Sequence, residues 1–209
     1  MNNKKNIQSI NKQIELSKRL IGNQVININF YLEKEDLDMT EQANSFGKSL
    51  FNGIDIETKV KFYSIGNRYT SFGYGLAISE GKTNEIEHFQ EQKYLIEFDT
   101  SIKKEEIKEI QIYWMKIPFD DEEGIYPQEI EITTENGYLL ISSIEVNNGK
   151  VNTEFTDEIL VIDNIENAER LKLGRFGIKD NGRILINSCL LYTSPSPRDL
   201  STSRMPSSA

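Results

Sequence analysis

The 209 residues carry 33 Asp and Glu against 24 Lys and Arg, a net charge of −9. That balance excludes a nucleic-acid binder that works by neutralising phosphates, because such contacts need a basic face. An apolar content of 37% is too high for a disordered chain and suits one globular domain with a modest core, while no run reaches the roughly 18 apolar residues of a membrane helix.

The chain opens MNNKKNIQSINKQ, which is basic but lacks the apolar stretch of a signal peptide. Residues 4–21, KKNIQSINKQIELSKRLI, set Ile7, Ile10, Ile14 and Ile21 at heptad-like positions among Lys and Glu. This spacing predicts an amphipathic helix, either packed on the domain or ending a coiled-coil stalk, stopped by Gly22 and Asn23. From Val25 the period changes to two: in VININFYL, Ile26, Ile28, Phe30 and Leu32 alternate with polar or amphipathic neighbours. The same alternation recurs in KVKFYSI, YGLAIS, KYLIEFD, EIQIYWMKI, QEIEIT, GYLLISSIEV and EILVID, about eight strands in all. Turn signals separate them at Asn52-Gly53, Gly66-Asn67, Glu80-Gly81, Asn136-Gly137 and Asn148-Gly149, and Asn136-Gly137 is the strongest hairpin signal. SIKKEEIKEI has the charge density of a short helical turn. Strands and helices do not alternate, so the expected fold is mainly β, an antiparallel β-sandwich with a short N-terminal helix.

Alternation also assigns faces. Ile26, Ile28, Phe30, Val60, Phe62, Leu76, Ile78, Tyr94, Ile96, Phe98, Ile110, Ile112, Trp114, Ile130, Ile132, Leu139 and Ile141 should point inward. Lys61, Tyr63, Glu97, Gln111, Tyr113, Glu129 and Glu131 should line the opposite faces, as a solvated surface or a shallow binding face. Near the end, RFGIK and RILIN flank Asn181-Gly182, which reads as a separate small β-unit starting near Ile165.

The last residues run CLLYTSPSPRD, then Leu200, Ser201 and Thr202, then SRMPSSA. Two fixed strings around a short variable gap resemble one reading frame of a transposon-type sequencing adapter, which implies that 189–209 is a non-native, disordered tail on a truncated gene. Excluding it removes Cys189, the one cysteine, and with it any disulfide, thiolate metal site or cysteine nucleophile. The expected organisation is 1–23 helix or stalk end, 24–164 β-sandwich, 165–188 truncated β-unit and 189–209 tail.

Most catalytic patterns fail on spacing. FGKS, ending at Ser49, resembles the close of a phosphate-binding loop, but Gln42 stands where G-x-x-x-x-G-K-[ST] needs its first glycine. Gly73 and Gly75 would need a glycine at Ile78 for a dinucleotide fingerprint. His88 is the sole histidine and reads as a surface residue. Glu97 and Asp99 share a strand face and resemble the E-x-D-x-x-E motif of laminarinase-like glycosidases, with Ile102 where the third carboxylate belongs. A carbohydrate-active hydrolase is therefore the alternative and not the expectation. The acidic run Asp120, Asp121, Glu122, Glu123 offers hard oxygen ligands for Ca²⁺ without alternating ligand spacing. The functional hint is aromatic: Tyr63, Arg68, Tyr69, Phe72, Tyr113 and Tyr126, with Glu97 and Gln111 as hydrogen-bonding neighbours, would make a stacking platform for a sugar ring.

KYLIEFDTSIKKEEIKEIQIYWMKIP followed by YPQEIEITTENG resembles jelly-roll modules of the carbohydrate-binding type found in phage tail-fibre and bacterial surface proteins. The resemblance, over Val25 to Gly137, implies a non-catalytic binding or structural module on a virion or cell surface, a glycan as partner and a homotrimer assembled on the preceding helix. It implies no cofactor.

Overall fold

Two antiparallel sheets face one another across a single apolar layer, as the period-two pattern requires. The computed structural model describes residues 2–32, 46–50, 52–70, 73–87, 94–119, 122–147, 150–152, 156, 158–177 and 184–185. The first sheet has the order β5-β4-β3-β1-β6, from β1 (Val25–Leu32), β3 (Ile54–Thr58), β4 (Phe62–Thr70), β5 (Gly73–Glu80) and β6 (Tyr94–Glu97). The second has the order β13-β7-β8-β9-β12-β2, from β2 (Lys48–Leu50), β7 (Glu109–Phe119), β8 (Glu122–Thr133), β9 (Tyr138–Ser142), β12 (Ile159–Ile162) and β13 (Ile184–Leu185). A separate hairpin joins β10 (Glu145–Asn147) to β11 (Lys150–Asn152). The chain is thus mainly β, an antiparallel sandwich with an N-terminal helix, α1 (Asn2–Leu20). Among the described residues no helix is long and apolar enough to cross a membrane. The tail 189–209 lies outside them.

Inward-facing Ile28, Phe30, Ile78, Ile112, Trp114, Ile130 and Ile141 meet in one core, as expected. Ile10, Ile14, Leu16 and Leu20 of α1 join it, so most of the helix's apolar seam is spent on its own domain, and Ile21 is left outside. Asn23 closes the helix by donating its side-chain amide to the Arg19 and Leu20 carbonyls. FGKS runs directly into β2, where the Lys48 ammonium lies 5.4 and 4.9 Å from the ring centres of Phe30 and Phe98.

Four inward assignments are corrected. A register shift between Val25 and Asn27 buries Val25 and turns Ile26 outward. Residues 58–61 form a tight turn, in which Thr58 Oγ1 accepts from the Val60 and Lys61 amides, so β4 starts late. That moves its phase by one residue: Val60 is 73% exposed and Tyr63, not Phe62, enters the core. Tyr94 sits on the edge strand β6 and is exposed. Asn136-Gly137 does close the β8–β9 hairpin, with Thr133 opposite Tyr138, whereas Gly66-Asn67 lies inside β4. SIKK forms a turn. Glu122, Glu123 and Gly124 belong to β8, paired with Phe119, Pro118 and Ile117.

On the outer face of the first sheet, buried Asp55 accepts bonds from the Tyr31 hydroxyl (2.8 Å), the Thr83 amide (2.8 Å) and the Thr83 hydroxyl (2.6 Å). These bonds anchor the short helix α2 (Thr83–Glu87) to β3. An Asp55→Ala chain loses the shared acceptor of all three donors and should be about 3 kcal/mol less stable, read as a lower urea midpoint. Asp55→Asn, which keeps one acceptor oxygen, should lose less.

Candidate functional site

The second sheet is covered on both faces. Beyond β12 the chain turns at Asn164, whose side chain accepts from the Glu166 amide at 2.8 Å, and forms α3 (Ile165–Leu171). Residues 165–171, expected to open a β-unit, are therefore helical. Ala168, Leu171 and Leu173 pack on Leu140, Leu160 and Ile162 of the outer face, a second apolar cluster. Lys172 ends α3 in the left-handed region (φ 56°), and Gly174 (φ 56°) then turns the backbone inward.

That turn aims donors at two carboxylates. Alternation places Trp114 in the core while Tyr113, Glu129 and Glu131 face outward, under the C-terminal segment, next to a register shift at Tyr113/Trp114. Expected on a solvated surface or a shallow binding face, Glu129 and Glu131 are 0% and 1% exposed. The Gly174 amide donates to Glu129 Oε2 at 2.8 Å, and Ser142 Oγ donates to Glu129 Oε1 at 2.9 Å. The Arg175 amide donates to Glu131 Oε2 at 3.1 Å, and the Arg175 guanidinium pairs with Glu131 Oε1, Nε at 2.5 Å. The Tyr113 hydroxyl lies 2.6 Å from Gln111 Oε1 and 3.1 Å from Glu131 Oε2. Burial pushes the Tyr113 phenol far up, and the Glu131 carboxylate beside it pushes it further. Tyr138, 6% exposed, is raised by burial first and then by Glu131 and Glu129; its hydroxyl has no hydrogen-bond partner among the described residues.

No protein-family model, curated protein or solved structure matches this chain.

Two tyrosines of the expected aromatic platform are buried apart from one another. Tyr63 is in the core between the sheets and Tyr113 is sealed under the C-terminal segment, with half-buried Gln111 beside it. Arg68 is on the outer face of the first sheet, donating to the Ala77 carbonyl and Ser64 Oγ, each at 3.2 Å. Glu97 stands exposed on β6 in an ion pair with Lys103, which holds its carboxyl below the usual range. Ile102, in the third position of the glycosidase-like motif, is a core residue. Tyr69 lies in β4 opposite Tyr74, and Tyr126 in β8 opposite Met115. Phe72, His88, Asp120 and Asp121 lie outside the described residues, and with the two aspartates the expected Ca²⁺ ligands. Among the described residues no group of three His, Cys, Asp or Glu side chains could hold a metal.

What the sequence did not point to is a cleft of about 730 Å³ beside the buried pair. The β8–β9 loop Thr134–Gly137, with Ser101 and Glu109, and the segment Asp163–Ile165 line it, as do Tyr138 and Arg175. Alternation says nothing about it, because it forms where a hairpin loop and a helix start meet across the sheet end. Its lining is rich in hydroxyl, carboxamide and carboxylate groups, with one guanidinium.

Proposed function

We propose that the chain is a non-catalytic binding or structural module that holds a hydroxyl-rich ligand, a glycan, in this cleft. The observation that carries the reading is the cleft itself: polar side chains converge on it from two well-anchored elements, the β8–β9 loop and the capped start of α3. The state of the buried carboxylates supports a non-catalytic role, because both oxygens of Glu129 and of Glu131 already accept bonds from the chain and neither residue faces solvent. A general acid or nucleophile needs an oxygen within reach of substrate. The resemblance of 25–137 to jelly-roll modules of phage tail-fibre and bacterial surface proteins supports a virion or cell-surface setting.

Titrating isotope-labelled protein with a panel of oligosaccharides tests this. Shifts should concentrate on the amides of Ser101, Asn136 and Asn164. Asn136→Ala combined with Asp163→Ala should weaken binding about thirtyfold, at about 1 kcal/mol for each of the two hydrogen bonds lost. Shifts elsewhere, or none at millimolar sugar, would remove the cleft from consideration.

A further inference from the structure

The two large sheets present four edge strands among the described residues, β5 and β6 in the first and β13 and β2 in the second. Three are short, at four, two and three residues. Short edges are poor templates for another strand. β5 is different: it has eight residues, GYGLAISE, with no proline, no register shift against β4 and one charge, Glu80, at its end. None of the devices that usually blunt an edge from within the strand is present.

The protection comes from α1. In β5 alternate residues turn their backbone groups off the sheet, and at Ile78 Gln13, buried in α1, meets both of them. The Ile78 amide donates to Gln13 Oε1 at 2.7 Å, and Gln13 Nε2 donates to the Ile78 carbonyl at 3.3 Å. One side-chain amide thereby makes the two bonds that one facing residue of a neighbouring strand would make. Further along, Arg19 pairs with Glu80 at 2.9 Å and with Glu15 at 2.5 Å, tying the helix to the end of the same strand.

We infer that α1 is a guard on the β5 edge, and that the partner it excludes is a second copy of this chain, pairing β5 with β5 in antiparallel fashion. The edge is self-complementary. In the register that sets Ala77 opposite Ala77 of the second copy, Leu76 faces Ile78, so residues whose backbone groups point outward meet one another. Glu80 then falls opposite Tyr74, and no like charges are opposed. With the guard in place the Ile78 backbone groups are already taken; with it displaced, two five-stranded sheets join into one.

The test uses the full chain and two variants. Gln13→Leu removes both edge bonds while keeping an apolar side chain in the helix seam, and Gln13→Pro breaks the helix over the edge. Sedimentation across a concentration series should show the wild type monomeric and Gln13→Leu self-associating at least about tenfold more strongly, with Gln13→Pro stronger still. Ala77→Cys, placed in each background together with Cys189→Ser, reads the register: on mild oxidation the introduced thiols should link the variant dimers and leave the Gln13-containing chain unlinked. Monomeric behaviour of Gln13→Leu, a dimer whose thiols do not link, or a wild-type chain that already links through this edge would each overturn the inference. Circular dichroism identifies a variant that has not folded; if that is Gln13→Pro, Gln13→Leu and the wild type still decide.

Discussion

A Gly174→Val chain should unfold at a clearly lower urea concentration than the wild type, with about 4 kcal/mol of stability lost. Two costs add. At φ +56° a β-branched residue is strained by about 1 to 3 kcal/mol. A Cβ there would also lie 2.5 Å from Glu131 Oε2 and 3.3 Å from Leu140 Cδ1. The carboxylate would have to leave the Arg175 amide and guanidinium, and a hydrogen bond to a charged group contributes about 1.5 to 3 kcal/mol. Gly22 supplies the control. Its φ is +82°, yet nothing lies within 4 Å of its Cβ position, so Gly22→Val should lose only the backbone part, about 1 to 3 kcal/mol. Equal losses at the two positions would mean that the carboxylate clamp adds nothing.

Above about pH 10 the protein should lose stability steeply, because its buried tyrosines resist ionisation only while folded. Tyr113 and Tyr138 are raised by burial and then by the neighbouring glutamates, and Tyr31 is raised by burial and by Asp55. The folded state keeps these phenols neutral, whereas the unfolded chain ionises near the ordinary value of about 10. The contribution is therefore fully present below that pH and drains away as pH rises towards the folded-state values. Each such phenol removes about 1.4 kcal/mol per pH unit, so Tyr113 and Tyr138 together remove about 3 kcal/mol. Set against a typical stability of about 5 to 15 kcal/mol, cooperative unfolding should follow within about two or three pH units. Tyr138→Phe separates charge from packing. Its hydroxyl has no partner among the described residues, so the variant should match wild type within about 1 kcal/mol at neutral pH and exceed it in alkali. Urea midpoints measured across the alkaline range check this; an unchanged slope in Tyr138→Phe would show that its phenol ionises normally in the folded protein.

Alternation was a sound guide to which residues share a face and a poor one to what covers that face. Gln111, Tyr113, Glu129 and Glu131 do lie opposite Ile112, Ile130 and Ile132, as the period requires. The step from polar face to solvent failed because Leu171, Leu173 and Arg175, some 40 residues beyond β8, supply a cover that no local pattern announces. Leu140, Leu160 and Ile162 carried the one available signal: apolar residues on both faces of β9 and β12 mark a sheet buried on both sides. Single-residue displacements account for the other errors. The turn at Thr58–Lys61 moved Tyr63 into the core, and the irregularity after Val25 turned Ile26 out. Patterns of period two cannot register such shifts, since one inserted residue exchanges the faces of everything that follows. The cleft was illegible for another reason: its walls, the β8–β9 loop and the start of α3, are adjacent only in three dimensions.

The way β2 is paired bears on how the molecule is made. All five strands of the first sheet come from residues 25–97, so they can zip together while the rest is still being synthesised. β2, made in the same interval, has no partner among them; it pairs with β12, about a hundred residues later in the chain. Until Ile159–Ile162 leave the ribosome, Leu50 has no strand to join, and until β7, β8 and β9 emerge before them the inner surface of the finished sheet stays uncovered. The nascent chain therefore passes through a stage with its greasiest face bare, and that interval is when a holding chaperone would bind it most tightly.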